Sequence, residues 1–153
     1  ILRVNIFGVS QAKNLAKKLS LAEWFIHKFK KGEKVNGFTD IYFNPVSINN
    51  LSNIIIETIE RNITGLYNIG GPDIMSKYDF GIKVAEVFGF NKDLISKSSS
   101  KEISFVASRP KNSTMNISKA KDKYDTRLQK IEEGLITMKK MIEVEKIRKD
   151  NIK

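Results

Sequence analysis

The stretch ILRVNIFG, residues 1–8, decides the fold, because most of its side chains are large and apolar and it ends at Gly8. This pattern is typical of a strand buried on both faces, as in a parallel α/β sheet. A second strand of this kind, GLYNIGG, spans residues 65–71. Two or three such strands cannot bury both faces of a sheet alone. We therefore expect the sheet neighbours that precede the first strand to lie outside this chain.

Four segments have the apolar spacing of amphipathic helices, which places helices between the strands and predicts an α/β fold. They span residues 20–32, 49–62, 76–89 and 126–150. Three of them begin with a predicted capping box: Ser20 with Glu23, Ser76 with Asp79, and Thr126 with Gln129. The helix over 49–62 is predicted to start at Asn49 or Asn50 and to bury a stripe formed by Leu51, Ile54, Ile55, Thr58 and Ile59.

The connecting segments are marked by glycine and proline. A turn is predicted at Asn36-Gly37, followed by a short strand over residues 41–43 that Pro45 ends. Residues 91–118 are predicted to be irregular, with short extended pieces.

Composition limits the class of protein. The chain has 153 residues, of which 41% are hydrophobic and 29% charged, which is typical of a globular protein. We predict one structural unit over residues 1–142 and a charged helical extension over 143–153. The longest apolar run is broken at Glu57, so we expect no membrane span. Without cysteine the chain forms no disulfide, and we expect a cytoplasmic location.

The net charge of +10 is spread over the chain and comes mostly from lysine, so we expect no nucleic-acid partner. A basic cleft for a phosphorylated small molecule fits the charge at least as well.

Five motifs together resemble one family over about residues 2–141: LRVNIFG, LAEWF, GFTDIYFNPVSINNLSNII, GLYNIGGPDIMSKYDFGIKVAEVFGF and ASRPKNSTMNISK. In this order they are similar to the C-terminal half of the RmlD-like (dTDP-4-dehydrorhamnose reductase) family of extended short-chain dehydrogenases/reductases. The resemblance implies the C-terminal part of a Rossmann-type fold with the substrate-binding lobe, the N-terminal dinucleotide-binding half being absent. It implies a parent enzyme that uses NAD(P)H to reduce a 4-keto sugar attached to dTDP or a similar nucleotide.

The chain lacks the catalytic motifs of that family. It has no Gly-rich pyrophosphate turn, and none of its four tyrosines has a lysine four residues later, as the Tyr-x-x-x-Lys pair requires. We therefore expect the chain alone to bind no cofactor and to have no activity. The resemblance implies a sugar-nucleotide ligand and, as partner, a separate Rossmann half or a second copy of the chain. The alternative is a non-catalytic regulatory subunit, as the β subunit of methionine adenosyltransferase is in this family.

The resemblance also implies substrate contacts at Asn5, Phe7, Phe43, Asn44, Arg109 and Asn112. Asn5 would bond the sugar, or else be satisfied by its surroundings. Arg109 would bind the diphosphate through its guanidinium fork, or else be a surface residue.

Other residues have a structural and a functional interpretation. Trp24 and Phe38 either wall the ligand pocket or belong to the core, and for Trp24 we expect the core. Asp40 is expected to close a turn rather than bind a ribose. His27, the only histidine, is not expected to bind a metal.

Overall fold

The computed structural model describes residues 1–9, 19–102 and 110–150. Its strands are β1 (Leu2–Val4), β2 (Ile6–Phe7), β3 (Val35–Phe38), β4 (Tyr42–Phe43), β5 (Val46–Ser47), β6 (Tyr67–Ile69), β7 (Met75–Ser76) and β8 (Ile95–Ser98). Its α-helices are α1 (Leu21–Lys30), α2 (Ile48–Glu60), α3 (Lys77–Phe88), α4 (Ser118–Lys123) and α5 (Ile131–Asp150). The predicted α/β class is confirmed.

The opening strand runs through β1 and β2, with a break at Asn5. β1 pairs in parallel with β6, β2 pairs in parallel with β5, and β3 pairs in parallel with β8. The fourth pair, β4 with β7, is antiparallel. The expectation that the first strand is buried on both faces was wrong: Leu2 is half-buried, Arg3, Val4 and Ile6 are exposed, and only Phe7 is buried. The second apolar strand, β6, is buried as predicted at Tyr67 and Ile69.

The opening strand is paired along one edge. Its carbonyls at Ile1 and Asn5 accept hydrogen bonds from the amides of Tyr67 and Val46, at 3.0 and 2.8 Å. Carbonyls four residues apart in a strand point to the same side, so β5 and β6 both lie on this edge. No strand from the described ranges lies along the opposite edge. The polar backbone groups of that edge are therefore available for pairing.

Two apolar cores lie on either side of the opening strand, because its side chains alternate. Phe7 packs into a core formed mainly by α1, α3 and α5. Leu2, on the other face, packs against a core formed by residues of α2, β6 and α4. Asn5 shares the face of Phe7, which places its side chain on the α1 and α3 side of the strand.

Helices α1 and α3 start at the predicted N-caps, but only α1 has the complete capping box, since the Asp79 carboxylate of α3 accepts from the Ser76 hydroxyl and not from its amide. Ser20 and Glu23 form the complete capping box of α1. Ser76 accepts a hydrogen bond from the amide of Asp79, and its hydroxyl donates to the Asp79 carboxylate at 2.6 Å. Helix α3 ends at Gly89, whose φ of 74° is the left-handed conformation that glycine adopts at least cost.

The prediction for α2 was wrong in its start and in part of its buried face. The helix starts at Ile48 and Ser47 is its N-cap, because the Ser47 hydroxyl accepts from the amide of Asn50. The buried residues are Asn50, Leu51, Ile54 and Glu57. Ile59, predicted to be buried, is 70% exposed. The buried face of α2 therefore includes the polar residues Asn50 and Glu57, whose side chains are hydrogen-bonded within the protein.

The last helix begins later than predicted, at Ile131, so the capping box at Thr126 and Gln129 was wrong. Their amides instead donate to side chains of α2, Thr126 to Glu57 at 2.8 Å and Gln129 to Asn50 at 3.0 Å. Side chains distant in sequence have replaced the local cap. The helix passes through the predicted boundary at residue 142 without a break.

One further prediction was wrong because long-range pairing decided the conformation. The expected turn at Asn36-Gly37 is part of β3, which pairs with β8, one of the short extended pieces predicted within residues 91–118. The same segment supplies the arm, residues 110–117, and the start of α4. None of the helices in the described ranges has the length and apolarity needed to cross a membrane.

Candidate functional site

A cleft of about 830 Å³ opens between α1, β3, the start of α3 and the arm. The described residues that line it are Asn5, Leu19, Leu21, Trp24, Phe25, Asn36, Gly37, Phe38, Ile41, Lys77, Pro110 and Ser113. The lining is thus mostly apolar and aromatic, with a few polar groups, which is the usual composition of a small-molecule site.

Asn5, for which a ligand contact was predicted, is among the residues that line this cleft. Its backbone carbonyl accepts the hydrogen bond from Val46, but its side-chain amide makes no hydrogen bond with any described residue. A half-buried amide that the protein leaves unpaired can both donate to and accept from a ligand.

The aromatic wall of the cleft comes from α1 and β3. Trp24 is half-buried and packs edge-to-face on Phe25, with ring centroids 5.0 Å apart. Trp24 also contacts the first core, so both of its interpretations apply: one part of the ring packs and another faces the cleft. With Phe38 it offers the flat apolar surface on which a base or a sugar ring packs.

Two of the candidate site residues lie beneath the cleft. Phe7 and Phe43 are buried and pack edge-to-face on Phe80, with centroid distances of 5.6 and 5.2 Å. They fix the position of the strand ends around the cleft, and neither lines it.

Asn44 is 2% exposed and holds the arm in place. Its side-chain oxygen accepts from the amide of Met115 at 2.8 Å, and its side-chain nitrogen donates to the carbonyls of Gly71 and Met115. All of these partners belong to the protein backbone, so the Asn44 amide acts on a ligand only through the position of the arm.

The arm reaches the cleft through its first residues. The amide of Tyr42 donates to the carbonyl of Lys111, and Ser113 donates back to Tyr42. This pairing brings Pro110 and Ser113 to the cleft. Asn112 is exposed and its side chain accepts from the amide of Thr114, which shapes the arm. Arg109, which directly precedes Pro110, lies outside the described residues.

Asp40 closes the loop at residues 98–102, as predicted. Its carboxylate accepts from the amide of Ser100 at 2.8 Å and from the hydroxyls of Ser99 and Ser100. The backbone hydrogen bond from Ser100 is the main reason why the pKa of Asp40 is well below its ordinary value.

Sequence analysis missed Lys77, a charged residue in the cleft. Its ammonium lies 3.1 Å from the ring centroid of the buried Phe43. Burial lowers the pKa of Lys77 to about 8. The signal in the sequence was a lysine directly after the N-cap Ser76, where acidic residues are preferred.

Gly70 and Gly71, which follow β6, lie directly against the neighbouring backbone. A Cβ at Gly70 would lie 2.6 Å from the carbonyl oxygen of Asn44, and one at Gly71 would lie 2.7 Å from that of Pro45. Any larger residue at either position would displace the chain that leads into β5.

Comparisons with known proteins agree with this architecture. Residues 3–144 match the family model described as the RmlD substrate binding domain. A Haloferax volcanii protein named "Probable low-salt glycan biosynthesis reductase Agl14" is 26% identical over 96 residues, which is 63% of this chain and 32% of that protein.

Solved structures of similar fold are about twice as long. A dTDP-4-dehydrorhamnose reductase from Clostridium acetobutylicum matches with a TM-score of 0.78 and 16% identity over 93% of this chain and 48% of that one. The dTDP-4-dehydrorhamnose reductase from Bacillus anthracis, solved with NADP, matches with a TM-score of 0.75 and 19% identity over 87% of this chain and 44% of that one. A UDP-N-acetylglucosamine 4-epimerase from Methanobrevibacter ruminantium, bound to UDP-N-acetylmuramic acid, matches with a TM-score of 0.68 and 20% identity over 94% of this chain and 46% of that one.

These matches agree with part of a Rossmann-like reductase fold, and the chain spans less than half the length of each relative named here. The family model covers nearly the whole chain. The chain belongs to the RmlD substrate-binding domain family.

Proposed function

We propose that this chain is the sugar-nucleotide-binding part of an NAD(P)H-dependent reductase that acts on a dTDP-linked sugar or a close analogue. The observation that carries the proposal is the unpaired Asn5 amide, which lies in a cleft walled by Trp24 and Phe38. A nucleotide sugar presents a flat base and a ring of hydroxyls, and such a cleft offers one group for each.

Each side of the cleft has a role in this proposal. Asn5 bonds a sugar hydroxyl, since an amide both donates and accepts. The aromatic wall packs on the base or the sugar ring. The arm closes over the diphosphate and carries Arg109 to it, while Asn44, Phe7 and Phe43 set the geometry from beneath and Asn112 shapes the arm.

Reduction of the bound sugar requires groups that the described part of the cleft does not contain. No tyrosine is among its described lining residues, and the sequence contains neither a Tyr-x-x-x-Lys pair nor a Gly-rich pyrophosphate turn. We propose that a dinucleotide-binding half, on the same polypeptide or on another, pairs with the open edge of the opening strand and supplies both. Alone, the chain binds sugar nucleotide and reduces nothing.

Calorimetric titration of the chain with dTDP-glucose tests this function. We expect a Kd between about 0.1 and 1 mM, because the lobe supplies only part of the surface around the ligand. Asn5→Ala should weaken binding about fivefold, as expected for one lost hydrogen bond. Asn53→Ala, on the exposed face of α2, is the matched control and should bind as the wild type does. If a chain that circular dichroism shows to be folded releases no heat at several millimolar ligand, the proposal is wrong.

One observation favours a partner-binding function as the second candidate. Helix α5 exposes Ile136, Val144 and Ile147, whose spacing places them along one side of the helix. An exposed apolar stripe on a charged helix is typical of a surface that binds another protein. A chain that binds no nucleotide sugar but forms a stable complex through α5 would support this alternative.

A further inference from the structure

Lys77 occupies a position that is unfavourable for a cation unless an anion is close. It is the first residue of α3, where the aligned peptide dipoles place partial positive charge. Asp79 in the same turn has the charge that suits this helix end. The lysine therefore contributes nothing to capping the helix, and its charge opposes the helix dipole.

The ammonium of Lys77 also lacks an acceptor. An ammonium has three hydrogen atoms to donate, yet that of Lys77 has no hydrogen bond or ion pair within the described ranges, only the ring face of Phe43. Burial of this group without a counter-ion lowers its pKa to about 8. An anion in the cleft would supply the missing acceptor and restore the charged form.

Lys77 is the only charged residue among the described residues that line the cleft. Strand β3 and helix α1 contribute Asn36, Phe38 and Trp24 to the lining, and none of these titrates near neutral pH. Two carboxylates close to Lys77 or to the cleft residues in sequence, Asp79 and Asp40, already have partners. Asp79 accepts from Ser76, and Asp40 accepts from Ser100 and pairs with Lys111 at 3.5 Å.

We propose that the Lys77 ammonium binds a phosphate of the nucleotide diphosphate in this cleft, an inference that rests on the proposed function. The lysine approaches from the α3 side and the arm from the other, so the diphosphate lies between them. Phosphate oxygens accept charge-assisted hydrogen bonds, which are stronger than neutral ones. Asn5 then contacts the sugar and Lys77 the charge.

Titration with dTDP and with thymidine separates recognition of phosphate from recognition of the base. We expect Lys77→Met to weaken dTDP binding about tenfold and to leave thymidine binding unchanged, because only dTDP carries the charge. Lys77→Arg should keep most of the dTDP affinity. Lys121→Met, which removes an exposed charge from α4, is the matched control and should bind both ligands as the wild type does.

The pH dependence gives an independent readout. Between about pH 7.5 and 9 the phosphates of dTDP are almost fully ionised, because the last phosphate pKa is about 6. Over the same interval Lys77 loses its proton above a pKa of about 8, which bound dTDP raises. Wild-type affinity for dTDP should fall over this interval, and that of Lys77→Arg should stay constant. Equal dTDP affinity of Lys77→Met and wild type, or equal losses of dTDP and thymidine binding, would overturn the role of Lys77 alone. Failure of the folded wild type to bind either ligand would overturn the proposed function itself.

Discussion

Glu57 and Lys77 are charged residues that the fold removes from solvent, Glu57 almost completely and Lys77 in part, and their surroundings are opposite in kind. Glu57, on α2, accepts hydrogen bonds from the amides of Asp125 and Thr126, each at 2.8 Å, and pairs with Arg61. Lys77, on the cleft side, has one aromatic ring beside it and no acceptor in the described structure. The first charge is satisfied within the fold, and the second is left for a ligand.

Two asparagines repeat the contrast. Asn44 uses its whole amide to hold the arm, whereas Asn5 presents its amide to the cleft without a partner. Because a buried polar group without a partner costs free energy, its presence needs a reason other than stability. Asn5 and Lys77, whose polar side-chain groups have no hydrogen-bond partner within the described ranges, both line the cleft, and paired groups such as Asn44 hold the parts around it.

The largest effect on stability is expected from a substitution of Glu57, the charge whose hydrogen bonds are all made within the protein. Burial alone would raise the pKa of Glu57, but the hydrogen bonds from Thr126 and Asp125 lower it from 4.5 to about 2. Glu57→Gln should lower the free energy of unfolding by about 2 kcal/mol at pH 7, since the amide cannot accept from all these donors. Urea denaturation followed by circular dichroism measures this loss.

The same carboxylate predicts the direction of acid sensitivity. The pKa of Glu57 is lower in the folded than in the unfolded protein. The carboxylate therefore contributes its full share to the free energy of unfolding above pH 4.5, and this share is lost as the pH falls toward 2. The stability of Glu57→Gln should therefore change less between pH 5 and 2.5 than that of the wild type. Glu60→Gln, on the exposed side of α2, is the control. A Glu57→Gln variant as stable as this control would show that the cluster contributes nothing.

Local patterns in the sequence predicted the elements whose ends are local. The Ser20 and Ser76 caps and the glycine at the end of α3 follow from adjacent residues. The start of α5 did not, because Glu57 and Asn50 accept from amides 69 and 79 residues away. Strand β3 was missed for the same reason.

The candidate site was predictable to a similar extent. Asn5 was a candidate because the resemblance implies a substrate contact there and because an amide inside an apolar strand needs a partner. Lys77 was missed because lysine is abundant in this chain, and only the packing of α3 against Phe43 distinguishes it from the other lysines. Whether Asn44 faces a ligand or the arm depends on the path of residues 110–117, which local spacing does not determine.

A smaller effect of opposite sign is expected when the unpaired charge is removed. The folded pKa of Lys77 is below its ordinary 10.5, so burial of the charged form costs free energy below pH 8, and this cost disappears as the pH rises to 10.5. Lys77→Met should raise the free energy of unfolding by about 1 kcal/mol at pH 7, less than the full shift implies because the side chain is partly exposed. The gain should vanish near pH 10.5. Destabilisation at pH 7 would mean that the contact with Phe43 outweighs the cost of burial.

The smallest effect on stability is expected at the open edge of the opening strand, which is a third set of unpaired polar groups. Ile6 is 50% exposed there, so Ile6→Lys should change the free energy of unfolding by less than about 0.5 kcal/mol. Its effect on association should be large, because an unpaired edge beside exposed apolar residues favours pairing between chains, and a lysine opposes it. Sedimentation equilibrium should show concentration-dependent association of the wild type and less of it for Ile6→Lys.

The control is Ile74→Lys, which changes a similarly exposed isoleucine in a loop. An equal reduction of association by both variants would place the association at another surface. If only Ile6→Lys reduces association, the open strand edge, like Asn5 and Lys77, has polar groups that require a partner from outside the described part of the chain.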